Sequence, residues 1–112
     1  MDRTFILFSK DDEIQGSYKL AFHGQNYVQR AFKGLSWADG YFALCSRDKK
    51  ILVFEADKLV SGNTEPCVMS TTDSEPLQIC YCHNRMNNNN MEYIFVVTSS
   101  LKISFYLFVP TR

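Results

Sequence analysis

The sequence predicts an all-β chain built from antiparallel sheets, and three observations lead there. First, nine short segments rich in aromatic and β-branched residues are bounded by Gly, Asn, Asp, Ser or Pro, and no window carries a convincing 3.6-residue apolar stripe. Second, Tyr41–Cys45, Ile51–Phe54 and Tyr93–Val97 are apolar at successive positions, a pattern expected of sheets covered on both faces. Third, one pattern recurs in one register. Asp2-Arg3-Thr4-Phe5-Ile6-Leu7-Phe8, Asp48-Lys49-Lys50-Ile51-Leu52-Val53-Phe54 and Ser100-Leu101-Lys102-Ile103-Ser104-Phe105-Tyr106 each run from a small polar residue to a large aromatic. The second copy lies 46 residues after the first, and the third 52 after the second. Strand-rich units of about 40–50 residues point to blades stacked as in a propeller.

The strands follow in order. Thr4–Ser9 precedes an acidic turn, Asp11-Asp12-Glu13, and Tyr18–His23 ends on Gly24. Residues Asn26 to Lys33 are the one stretch where a helical turn fits. Gly34–Ala38 and Tyr41–Ser46 flank Asp39-Gly40, a strong short-range turn signal. Ser46-Arg47-Asp48-Lys49 is too short for a crossover, so Lys50–Glu55 runs antiparallel to its predecessor. Ser61-Gly62-Asn63 and Glu65-Pro66 then lead to Cys67–Ser70, and Glu75-Pro76 opens Leu77–Cys82. The run Asn87 to Asn90 reads as a flexible hairpin insertion before Glu92–Thr98, and Lys102–Phe108 is the last strand.

Composition narrows the class. With 112 residues, 46% of them hydrophobic, the chain supports one globular domain and is too apolar to be disordered. Twelve basic and twelve acidic side chains cancel, leaving no general attraction to nucleic acid or anionic membrane. No apolar run approaches the roughly 20 residues that span a bilayer, and no signal-peptide core or Asn-x-Ser/Thr site is visible. A soluble intracellular protein, cytoplasmic or nuclear, is therefore expected, with reduced cysteines packed inside its strands.

Gly34 to Glu55 resembles the second, third and fourth strands of a WD40 repeat. Asp39-Gly40 matches the turn between the second and third strands, and Asp48 the aspartate of the tight turn before the last. Phe54-Glu55 stands where the family's Trp-Asp pair is usual. Leu77 to Tyr106 is similar to a second, longer copy with Ser100 at the turn position, and the only Gly/His pair is the inverted His23-Gly24. The resemblance implies a single domain over 1–112, with a lone outer strand over 1–9 and blades over 17–56 and 66–109. It also implies structural blade positions at His23, Trp37, Asp48, Phe54 and Tyr106, with His23 either hydrogen-bonded inside its blade or simply exposed. Trp37, mid-strand between Ser36 and Ala38, reads as a core residue, although Trp is also a common interface anchor. Two blades alone leave outer faces lined by residues such as Phe5, Leu7, Ile103 and Phe105, an interaction site or an aggregation hazard.

No residue pattern points to chemistry. Cys80-Tyr81-Cys82-His83 is the nearest approach to a metal motif, but strand alternation places His83 opposite the two cysteines, and no second pair has zinc-site spacing. Neither His23 nor His83 has nucleophile-elbow or papain-like surroundings. The expectation is a non-catalytic scaffold without cofactor or metal, binding protein partners or copies of itself. Charged loop residues Asp11, Asp12, Asp39, Arg47, Lys49, Lys50 and Arg85 are its candidate contacts. The WD40 resemblance implies that one face displays the loops Lys10–Gly16, Ala38–Gly40, Asp57–Pro66 and Asn84–Met91. A second reading is a self-contained β-sandwich or small barrel that binds a ligand or nucleic acid, which predicts a monomer with a satisfied core.

Overall fold

The computed structural model describes residues 3–10 and 18–110. Its strands are β1 (Phe5–Lys10), β2 (Tyr18–Gly24), β3 (Phe32–Ala38), β4 (Tyr41–Ser46), β5 (Lys50–Glu55), β6 (Val68–Thr71), β7 (Pro76–Asn87), β8 (Asn90–Ser99) and β9 (Ile103–Phe108), with one short helix, α1 (Ala56–Val60). The chain is all-β. Its antiparallel sheets are β1-β2, β3-β4-β5-β6 and β7-β8-β9, and they are not closed into a barrel.

The four-stranded sheet lies in the middle. Along β4, Phe42 and Leu44 point to one face while Ala43 and Cys45 point to the other. Along β5, Leu52 and Phe54 share the first face, Ile51 and Val53 the second. The first face meets Phe5 and Leu7 of β1, together with Val28 and Phe32. The second meets Ile79, Tyr93, Phe95, Val97 and Phe108 of the three-stranded sheet. This two-sided burial explains why β4 and β5 show no polar alternation.

Turn chemistry sets the hairpins. Asp39 and Gly40 have φ of 49° and 86°, both left-handed, as a two-residue turn that follows the strands' twist requires. Asn88 and Asn89, at 52° and 67°, make an equivalent turn between β7 and β8. The asparagine run forms the expected hairpin: Asn87 pairs with Asn90, and both strands extend to the turn. Asn suits this site because it tolerates the left-handed region better than other non-glycine residues. Gly34 allows β7 to approach β3. A Cβ there would run into the Gln78 side chain and lie 3.1 Å from the Ile79 amide nitrogen.

Strand grouping departs from expectation. The segment 1–9 is not a lone strand, because β1 pairs with β2 from Phe5↔Gly24 to Lys10↔Tyr18. β2 therefore does not join the strands of 34–55. The middle sheet takes its fourth strand from β6, with Lys50↔Thr71 through Val53↔Val68. The helical turn falls at Ala56–Val60, where Leu59 is buried against the first core cluster. Residues 26–31 instead cross the sheet as an irregular connection whose Val28 is buried.

Candidate interaction surface

The recurring sequence pattern maps onto equivalent strands. Its three copies fall on β1, β5 and β9. β5 and β9 each lie third from β3 and β7, the first strands of their sheets. Side chains at matching positions point the same way. Ile51 and Val53 of β5 bury against the three-stranded sheet, and Phe5 and Leu7 of β1 bury against the middle sheet. Their counterparts on β9, Ile103 and Phe105, are 66% and 69% exposed. In the opposite direction Leu52 and Phe54 are fully buried, whereas their counterparts Ile6 and Phe8 on β1 are 54% and 58% exposed. Phe5 and Leu7 thus face inward, contrary to expectation, and the outer face of β1-β2 is lined by Ile6, Phe8 and Leu20. Ile103 and Phe105 do line the other outer face, beside Leu107.

Trp37 is not a core residue. It is 49% exposed and rests on the Phe42 ring at 5.0 Å, with Leu35 exposed on the same face of β3. Among the described residues β1-β2, with Val28 and Leu59, covers that side of the middle sheet and leaves Leu35 and Trp37 of β3 exposed. His23 is exposed at the end of β2, opposite Ile6, and its side chain makes no hydrogen bond among the described residues. Phe54 is fully buried and stacks on Phe42 at 5.4 Å. Tyr106 is half-buried against the second core cluster.

The structure divides the candidate contacts between two ends. Asp39 sits at one end, where its Oδ2 accepts a hydrogen bond from Tyr93 Oη at 3.2 Å. Burial and this carboxylate together push the Tyr93 phenol up. Arg85 lies in the long β7-β8 hairpin and pairs with the buried Glu92 at 2.8 Å. At the other end Arg47 pairs with Glu75 at 2.9 Å, and Lys49 is exposed at a φ of 67°. Asp11 and Asp12 lie outside the described residues.

Asp48 organises that second end. It accepts hydrogen bonds from Ser46 Oγ and from the Gln29 amide at 3.0 Å, with Lys50 Nζ 3.9 Å away. Arg47 N donates to Ala31 O at 2.9 Å beside it. The β4-β5 turn is thereby tied to the connection that crosses the sheet. Burial favours protonation of Asp48, but hydrogen bonds from Ser46, Gln29 and its own amide, with the Lys50 charge, outweigh it and hold the carboxyl below its usual range.

The cysteines are only partly as expected. All four are free, but only Cys45 is buried; Cys67, Cys80 and Cys82 are exposed. Burial pushes the Cys45 thiol up to about 11, against a smaller opposing effect of Lys33. A register shift between Tyr81 and His83 upsets simple alternation and leaves Cys82 Sγ 3.4 Å from His83 Nδ1. Among the described residues no group of three or more His, Cys, Asp or Glu is placed to hold a metal. No helix there is long and apolar enough to cross a membrane.

The fold and surface define an all-β chain of stacked antiparallel sheets with apolar outer faces. No family model matches it, and no curated protein matches it.

Sequence reading missed the exposed Leu35-Trp37 face and a crevice between β6 and β9. The second was accessible in principle, since five strand candidates precede Glu65-Pro66 and only three follow Glu75-Pro76.

Proposed function

We propose that the chain is a non-catalytic protein–protein interaction scaffold, a WD40-like propeller piece that associates with a protein partner or with copies of itself by stacking like sheets. One observation carries this reading: positions buried between sheets on β5 are exposed at their equivalents on β1 and β9. An exposed sheet face with alternate large apolar side chains stabilises association by removing that area from water, at about 25 cal/mol per Å² before the costs of ordering. Trp37 beside Leu35 adds an aromatic anchor of the kind that dominates interface energetics. The charged side chains fit rim roles: Arg47, Arg85 and Lys50 already have partners and sit in turns or hairpins. Three exposed free thiols fit a reducing, cytoplasmic or nuclear setting.

The test is light-scattering mass of the purified chain across concentration. Association above the 13.0 kDa monomer is expected. Ile103→Lys combined with Phe105→Lys should shift the midpoint of association at least about tenfold upward, since each charge must be desolvated at the interface. A cooperative monomer at every concentration, unaffected by the double substitution, would count for the self-contained sandwich instead.

A further inference from the structure

The outer face of the three-stranded sheet carries a thiol–imidazole pair beside its apolar side chains. Cross-strand register sets Cys80, Val96 and Phe105 in one row and His83, Ile94 and Leu107 in the next. The pairing slips between Tyr81 and His83, so Cys82 is the extra residue of a β-bulge. Tyr81 before it packs on the core beside Phe95, and Asn84 after it pairs with Tyr93. Cys82 and His83 are both exposed, and Cys82 Sγ lies 3.4 Å from His83 Nδ1. With the ring proton on Nε2, Nδ1 accepts the thiol hydrogen. Uncharged Ile94 and Leu107 flank the pair on β8 and β9. Along β7, Tyr81 Oη is held by Asn84 at 3.0 Å and Arg85 by Glu92 at 2.8 Å. Among the described residues no other cysteine has an imidazole partner. Cys45 is buried, and burial pushes its thiol up to about 11. Cys80 Sγ donates to the Tyr81 carbonyl at 3.5 Å. Cys67 shares a cavity with Lys58, whose charge is already paired with Glu55 at 3.4 Å.

We infer that Cys82 is a site of reversible thiol modification, at which a low-molecular-weight disulfide forms a mixed disulfide and His83 takes the thiol proton. The thiolate is the reacting species, and the imidazole receives the proton as it forms. Sγ attacks one sulfur of the disulfide, so a new Sγ–S bond forms and the old S–S bond breaks. The departing thiolate recovers the proton from the imidazolium and leaves as a thiol. Cys82 is oxidised and one half of the disulfide is reduced, with no further reactant. The bulge sets both side chains on the exposed face, so the disulfide approaches without displacing packed groups. One consequence rests on the scaffold reading: the adduct stands in the row of Leu107, on the face that Ile103 and Phe105 share, and holds a stacking sheet away.

Oxidised glutathione is the probe, added to the dilute full chain, with each cysteine followed in time by peptide mass mapping. Cys82 should gain the adduct at least about tenfold faster than Cys67 or Cys80. His83→Gln should slow Cys82 about tenfold at pH 7 and leave Cys67 unchanged. The gap should close above about pH 9, past the ordinary thiol range, where the thiol ionises without a base. Cys82→Ser should remove the fast adduct. Reaction at Cys67 or Cys80 as fast as at Cys82, or a Cys82 rate indifferent to His83→Gln, overturns the proposal. Light-scattering mass of the modified chain reads the consequence: its association midpoint should rise at least about tenfold and return on reduction. Unchanged association of the fully modified chain overturns that consequence. A chain that stays monomeric while Cys82 still reacts first defeats the scaffold reading and leaves the modification site standing; association without preference for Cys82 does the reverse.

Discussion

Asp48 is the residue whose removal should cost most for its size outside the core. Its carboxylate holds the Ser46 hydroxyl and the Gln29 amide, and so binds the β4-β5 turn to the connection between β2 and β3. Ser46 is itself fully buried, so its hydroxyl would lose a partner away from water. Asp48→Ala should therefore destabilise by about 1–3 kcal/mol, the penalty for unsatisfied polar groups. The sign of the pH dependence follows from the depressed folded pKa. The contribution is complete well above the ordinary value of 3.8 and fades as pH falls through the lower folded value. Urea unfolding at pH 7 should show the full difference between wild type and variant, and the two curves should approach each other as pH falls through the depressed folded value. A difference that persists unchanged in acid would assign the effect to packing.

At the scale of elements, β4 and β5 were legible to the residue, because consecutive apolar positions between Asp39-Gly40 and the Ser46–Lys49 turn leave one arrangement. Partner choice was less legible. The pattern of Tyr18–His23 marks a strand but says nothing of which edge it joins, and its pairing with β1 spans a chain reversal with no sequence signature of register. Trp37 misled for a related reason: its neighbours Ser36 and Ala38 do face the three-stranded sheet, while its own face depends on how many strands lie opposite. Turn chemistry was the more dependable guide. Gly40 has a φ of 86° and open space where a methyl group would stand, so Gly40→Ala tests backbone strain without a clash. It should lower stability by about 1 kcal/mol or somewhat more in thermal unfolding. D-alanine at the same position, introduced by semisynthesis, should restore it. A neutral L-alanine would show that the turn relaxes into another geometry.

Across the whole molecule, burial is concentrated in one sheet and tapers towards both outer faces. The middle sheet is covered by β1-β2 on one side and β7-β8-β9 on the other, whereas among the described residues each outer sheet is covered on one side only. Equivalent substitutions should therefore have unequal costs, decided by the sheet and not by the side chain. Leu52 is fully buried, so Leu52→Ala should cost about 2–5 kcal/mol through lost transfer energy and a cavity between packed layers. Ile103→Ala removes a comparable side chain from an exposed face and should stay within about 0.5 kcal/mol for the isolated chain. The asymmetry should reverse in the assembled state, where Ile103 acquires the neighbour that Leu52 already has and its truncation weakens association instead of folding. Denaturant midpoints measured at low and high protein concentration separate the two effects. If Ile103→Ala destabilises the dilute monomer as strongly as Leu52→Ala, the outer sheet is covered in the free chain and the stacking argument fails.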